Sequence, residues 1–139
     1  MNELPKNNID EFKMHFQGKV ILPDDEEYNE VRQIWNAMID RKPAMIARCT
    51  SAEDVVQAIE FGRKHNLLIS IRGGGHNIAG NAVCDDGLMI DLALMKEVLV
   101  DLNTRRASVE PGCTLNDVDE AAQVHGCLLY TSDAADDIQ

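Results

Sequence analysis

A chain of 139 residues favours a single domain, and an apolar fraction of 45% is enough for an ordinary core, which excludes a disordered composition. The formal net charge of -11 repels phosphate backbones, so nucleic acid is not expected as a partner, and any anionic ligand would need local backbone N–H groups or a helix N-terminus. No apolar run approaches the roughly 20 residues of a membrane helix. The opening MNELPKNNIDEF has no basic stretch followed by an apolar one, so no secretory signal and no membrane partner are expected, and the chain is read as cytoplasmic.

Residues 1–43 are expected to form a helical segment with irregular joints. In EEYNEVRQIWNAMIDRK, Tyr28, Val31, Ile34, Trp35 and Met38 fall on one helix face, with Trp35 as a packing anchor and Pro43 as the stop. AMIARC, residues 44–49, reads as a short buried strand. TSAEDVVQAIEFGRKHN follows as a helix, with Ser51 as its cap, Asp54 in the capping-box position and Asn66 as its end. Val55, Ile59 and Gly62 share one face, with Val56 beside them. LLISIR is a second apolar strand. Strand, helix and strand within about thirty residues is the pattern of a βαβ unit with parallel strands.

A glycine-rich loop leads to a third strand, GLMIDL, residues 87–92. Val98 and Val100 run into the turn DLNT, and Ala107 and Val109 return, which predicts a hairpin. TLNDVDEAAQVHG is then a helix capped by Thr114 and Asp117, with Leu115, Val118, Ala121 and Ala122 on its apolar side and Gly126 as its stop. The resulting fold class is α/β (α+β): a small, mostly parallel sheet with flanking helices and a hairpin.

The four cysteines, Cys49, Cys84, Cys113 and Cys127, make no C-x-x-C pair, and no histidine stands at zinc-finger spacing, so no metal site is expected and the thiols are read as reduced and mostly buried. His65 and His125 sit at helix ends, where a cation complements the helix dipole, and His15 carries no signal.

RGGGHN, Arg72 to Asn77, directly follows a strand and so sits at the carboxyl edge of the sheet, where α/β folds bind ligands. Glycine there lets the backbone approach a ligand and turn its N–H groups towards an anion. The standard phosphate motifs do not fit. Gly75 and Gly80 have P-loop spacing, but Asn81 and Ala82 stand where Lys and Ser/Thr belong. Gly73 and Gly75 begin a dinucleotide fingerprint, but Ile78 takes its third glycine. A kinase glycine loop would need a downstream strand lysine, and none fits. On these residues alone, an anion-binding turn and a tight reversal of the chain remain equal alternatives. His76 lacks companions for a metal: Cys84, Asp85 and Asp86 form no recognised ligand set.

The stretch from PAMIARC through RGGGHNIAG and GLMIDL to VEPG resembles the start of the FAD-binding, PCMH-type domain of the FAD-linked oxidases, the vanillyl-alcohol oxidase superfamily with its berberine-bridge-enzyme-like branch. The resemblance covers roughly Gly18 to Gly126 and is densest from Ile71 to Leu92. It implies that this is the first subdomain of the FAD-binding domain. It implies that Arg72, Gly73, Gly74, Gly75, His76 and Asn77 bind FAD, the turn holding the pyrophosphate through backbone N–H groups. His76 falls on the histidine that carries flavin covalently in many members. Asp86 stands where a glycine is common. The implied activity of the parent enzyme is oxidation of an alcohol, sugar or related small molecule by hydride transfer to flavin.

Three segments are expected: the helical 1–43, a partial FAD-binding domain over 44–126, and a tail over 127–139. The tail, CLLYTSDAADDIQ, does not resemble the family and is similar to a translated transposase-type sequencing adapter, the alternative being a natural C-terminus with a short apolar strand. On the adapter reading the chain is an N-terminal piece of a longer protein. The rest of the FAD site, the substrate domain and its catalytic base lie beyond it, and none of the four cysteines here serves as a second flavin anchor. The alternatives are an incomplete fragment or a non-catalytic nucleotide-binding module with no activity of its own.

Overall fold

The structure, a computed structural model, describes residues 4–74 and 79–126. In chain order the elements are α1 (Lys6–His15), β1 (Lys19–Ile21), α2 (Tyr28–Val31), β2 (Met45–Arg48), α3 (Ala52–Lys64), β3 (Ile69–Arg72), β4 (Leu88–Asp91), β5 (Val98–Asp101), β6 (Arg106–Val109) and α4 (Leu115–Gln123). Four strands form one sheet in the order β1-β2-β4-β3, and β5 and β6 form a separate hairpin. Strands β2 and β3 both run parallel to β4, which lies between them, while β1 pairs antiparallel with β2. The strand–helix–strand reading of residues 44–72 therefore holds for the elements, but its two strands are not neighbours. The more apolar LMID strand takes the centre, where both faces are covered.

Strand alternation sorts the sheet's side chains onto two faces. Met45, Ala47, Leu88 and Ile90 pack with Ile9, Phe12, Ala58 and Phe61 of the helices α1 and α3. Ile46 and Met89 face the other way, onto Tyr28, Val31, Ile34, Ala82 and Val83. Between α1 and α3, Phe12 stacks with Phe16 at a centroid distance of 4.7 Å and meets Phe61, tilted by 41°, at 4.8 Å. The His65 ring, at the end of α3, lies 4.4 Å from that of Phe61.

The N-terminal segment differs from its helical expectation. It contains the strand β1, and α2 is only four residues long. Residues Tyr28, Val31 and Ile34 are buried, but Trp35 is 68% and Met38 92% exposed, so these two lie outside the core. The 3.6-residue spacing gave the right inward residues for one turn. The chain then follows side-chain bonds: the Tyr28 hydroxyl donates to the Pro43 carbonyl at 2.6 Å, and Arg32 donates to the Arg41 carbonyl at 3.1 Å. These bonds fold residues 32–43 back across α2.

Both helix starts form as expected, with one variation. Thr114 and Asp117 make a complete capping box on α4. On α3, Ser51 accepts from the Asp54 N–H, but the buried Asp54 carboxylate bypasses the cap. It accepts from the Thr50 N–H and hydroxyl and from the Gln17 N–H, so it ties the approach to β1 onto the start of α3. Val56 and Leu115 are exposed, contrary to their expected apolar faces. Asn66 ends α3 with φ 52°, and Gly126 follows α4 with φ 65°. The expected hairpin forms, with Val98 opposite Val109 and Val100 opposite Ala107.

Candidate functional site at the carboxyl edge of the sheet

Because β2, β4 and β3 are parallel, their carboxyl ends share one edge, in the register Arg48, Asp91, Arg72. The glycine turn leaves β3 at this edge, as expected. Of the six residues expected to bind cofactor, Arg72, Gly73 and Gly74 are described; Gly75, His76 and Asn77 lie outside the described residues.

The backbone of Arg72 is fixed by its carbonyl, which accepts from the Leu92 N–H at 2.8 Å. Its guanidinium reaches beneath the sheet and donates through Nη1 to the Val31 carbonyl, while Nε is buried with no hydrogen-bond partner. A buried cationic N–H without an acceptor is costly, and an anionic oxygen would satisfy it. Gly73 is needed for a reason the sequence does not reveal. A Cβ there would come within 2.5 Å of the Pro111 carbonyl oxygen, so the space a side chain would take is filled by the VEPG segment. Gly74 is exposed. Gly112 packs as tightly: a Cβ on it would meet the Leu92 carbonyl oxygen at 2.3 Å. The two glycines let three backbone segments, after β3, after β4 and after β6, meet at one place.

Asp91 supports this edge and was not singled out from the sequence. It is fully buried, accepts from Arg48 Nε at 3.0 Å, and accepts from the Ala93 N–H at 3.0 Å, which shapes the turn after β4. An aspartate inside the apolar run GLMIDL was the available signal, since a buried carboxylate needs a partner. Asp86, where the resemblance led one to expect glycine, has φ 56°, the left-handed conformation that glycine adopts at least cost.

Cys49 and Cys84 are buried and Cys113 is partly exposed; all three are free thiols, and Cys127 lies outside the described residues. Burial, with Asp54 and Asp91 nearby, pushes the Cys49 thiol up to about 12. Burial also raises Cys84, against hydrogen bonding with Ser70. No cluster of three or more metal-ligating side chains exists among the described residues. No helix among them is long and apolar enough to cross a membrane.

The profile of the FAD-binding domain family matches residues 43–138, more than half of the chain and past Gly126 into the tail. The chain belongs to the FAD-binding domain family. FAD is its cofactor, and the edge just described fits a bound dinucleotide in two respects: backbone turns converge there, and Arg72 Nε is left without an acceptor.

Among curated relatives, the chain is similar to (R)-6-hydroxynicotine oxidase of Paenarthrobacter nicotinovorans, 39% identical over 118 residues, which covers 85% of this chain and 26% of that protein. The crystal structure of 6-hydroxy-D-nicotine oxidase from Arthrobacter nicotinovorans superposes with a TM-score of 0.77 at 36% identity, over 81% of this chain and 25% of that one. A berberine-bridge-enzyme-like protein of Physcomitrella patens shares the fold, with a TM-score of 0.78 at 21% identity over 85% of this chain and 26% of that one. The chain therefore spans about a quarter of the length of the relatives it matches.

Proposed function

We propose that this chain is the first part of an FAD-dependent oxidoreductase that oxidises a small organic molecule, and that Arg72 to Asn77 are its cofactor-binding turn. The observation that carries the reading is the convergence of backbone at the carboxyl edge of the parallel sheet, where the chain leaves β3 through Gly73 against the Pro111 carbonyl and Gly112 packs on the segment after β4. In this reading Arg72 and the N–H groups of the turn take the pyrophosphate charge, which matters in a chain of net charge -11. His76 is the proposed point of covalent attachment to flavin. Bound flavin supplies the two-electron acceptor for hydride removal from substrate. The residues of this chain bind and orient it. In this reading no substrate-handling role is assigned to a described residue.

The relatives named as oxidases, among them (R)-6-hydroxynicotine oxidase and L-gulonolactone oxidase, favour an oxidase over a dehydrogenase that passes electrons elsewhere. Since the chain spans 26% of the first of these, a second reading is that alone it holds FAD weakly, because one wall of a site buries little of a ligand.

A chimera tests both readings. The matching N-terminal quarter of (R)-6-hydroxynicotine oxidase is replaced by this chain, and the protein is precipitated with acid. A yellow, flavin-fluorescent pellet is expected, lost on His76→Ala. A colourless pellet from a folded chimera would refute attachment. Absence of flavin from the native chimera as well would refute the cofactor turn. The chain alone, carrying less flavin than the chimera, would bear out the one-wall reading.

A further inference from the structure

The glycine turn has two described flanks, Arg72 to Gly74 before it and Ala79 to Val83 after it. Both are gripped by the same irregular segment, residues 31–44, through arginine–carbonyl bonds of opposite sense. Upstream, the turn's own Arg72 donates to the Val31 carbonyl. Downstream, Arg41 of the segment donates through Nη1 to the Gly80 carbonyl at 2.8 Å and the Val83 carbonyl at 3.2 Å. Gly80 has φ 78°, and a Cβ on it would meet Ile39 at 2.9 Å, so this flank is seated against the segment as well as bonded to it.

Further bonds continue the grip along the loop. The Lys42 N–H donates to Asp85 Oδ1 at 2.7 Å, the Asp86 N–H to the Lys42 carbonyl at 3.0 Å, and the Ala44 N–H to the Gly87 carbonyl at 2.8 Å. The segment is itself held in shape: Arg32 donates to the Asp40 carboxylate and the Arg41 carbonyl, and Tyr28 donates to the Pro43 carbonyl. A guanidinium suits this task. Both bonds leave the same Nη1, whose two N–H groups lie in the guanidinium plane and so reach the two carbonyl oxygens in a fixed geometry.

We propose that residues 31–44 are a buckle across the two flanks of the cofactor turn, with Arg41 as a positioning residue that fixes the downstream flank and thereby supports retention of FAD. This rests on the reading of the turn as the FAD site, while the holding of the flank can be tested without flavin. In the flavin-free 139-residue chain, hydrogen exchange of peptides spanning 79–87 is compared with that of α3 peptides in Arg41→Ala and Arg41→Lys. The expected result is about a tenfold or greater rise in exchange at 79–87 in Arg41→Ala, the size that follows from losing a charged hydrogen bond, with α3 unchanged. Arg41→Lys, a point charge without the fork, should fall between.

Unchanged exchange at 79–87, or an equal rise in α3, would overturn the buckle, because Arg41 would then be idle or merely a general support. In the chimera, Arg41→Ala should release FAD at least several-fold faster than the parent, with Arg41→Lys restoring part of the retention. Faster loop exchange with unaltered FAD release would overturn the positioning role. If the parent chimera held no FAD, the proposed function would fail, and the exchange measurement would still decide whether Arg41 holds the flank.

Discussion

The central strand β4 and the hairpin strand β6 are each four residues long and fully paired, yet they live in different solvents. Every residue of β4 is buried, between a parallel neighbour on each side and helices or loops on both faces. Every residue of β6 is exposed, and its one partner, β5, is half in water. β4 is paired along both edges and covered on both faces, whereas β6 is paired along one edge only and the hairpin meets a helix, α4, chiefly through β5. The difference teaches that the large core of this chain lies on the covered faces of the β2-β4-β3 sheet, and that the hairpin is held by α4 against β5 and by its ends. Those ends are the Glu110 N–H bonded to the Glu97 carbonyl and the Gly112 N–H bonded to the Met95 carbonyl.

Substitutions should reproduce that contrast. The largest effect is expected at Ile90, wholly buried in β4: Ile90→Ala should cost about 2–5 kcal/mol in denaturant unfolding, from lost burial and the cavity left behind. A loss below that range would mean the sheet core is looser than its geometry. A middle effect is expected at the junction of hairpin and α4. Thr114→Ala removes the side-chain acceptor for the Asp117 N–H and should cost about 1 kcal/mol. The same capping box carries a pH dependence. Hydrogen bonding from the Thr114 N–H, then from its side chain, holds Asp117 below its ordinary 3.8. A lowered carboxyl binds its proton less readily folded than unfolded, so its stabilisation is full above 3.8 and is lost as pH falls through the lower folded value. Acid titration of helicity should show this step, and Asp117→Asn should remove it. The smallest effect is expected in β6, where Val109→Ala, at an exposed position, should change stability by no more than about 0.5 kcal/mol. A larger loss there would show that the hairpin face is covered after all.

Local chemistry was readable wherever one or two residues decide the outcome. Thr114 and Asp117 form a capping box because a short oxygen side chain and a carboxylate three residues on satisfy each other's N–H groups. The alternation of Val98, Val100, Ala107 and Val109 sets the hairpin register. The apolar runs at 45–48, 69–72 and 88–91 become strands, and RGGG leaves the last residue of one of them at the carboxyl edge. The N-terminal segment was misread past Val31 because helical spacing there competes with bonds to partners distant in sequence, such as Tyr28 to Pro43.

The sequence by itself thus determined the mixed α/β class, the βαβ periodicity, the caps and the glycine turn with its family resemblance, since each depends on neighbours within a few residues. Only the tertiary structure decided that β4 sits between β2 and β3, because strand order depends on which strand has both faces to bury. It alone showed that Gly73 makes way for the Pro111 carbonyl, that Asp91 anchors the edge, and that Arg41 and Arg72 bind opposite flanks of the turn to one segment. Those contacts join residues that chain spacing leaves unrelated, and only close packing of the whole fold brings them within bonding distance.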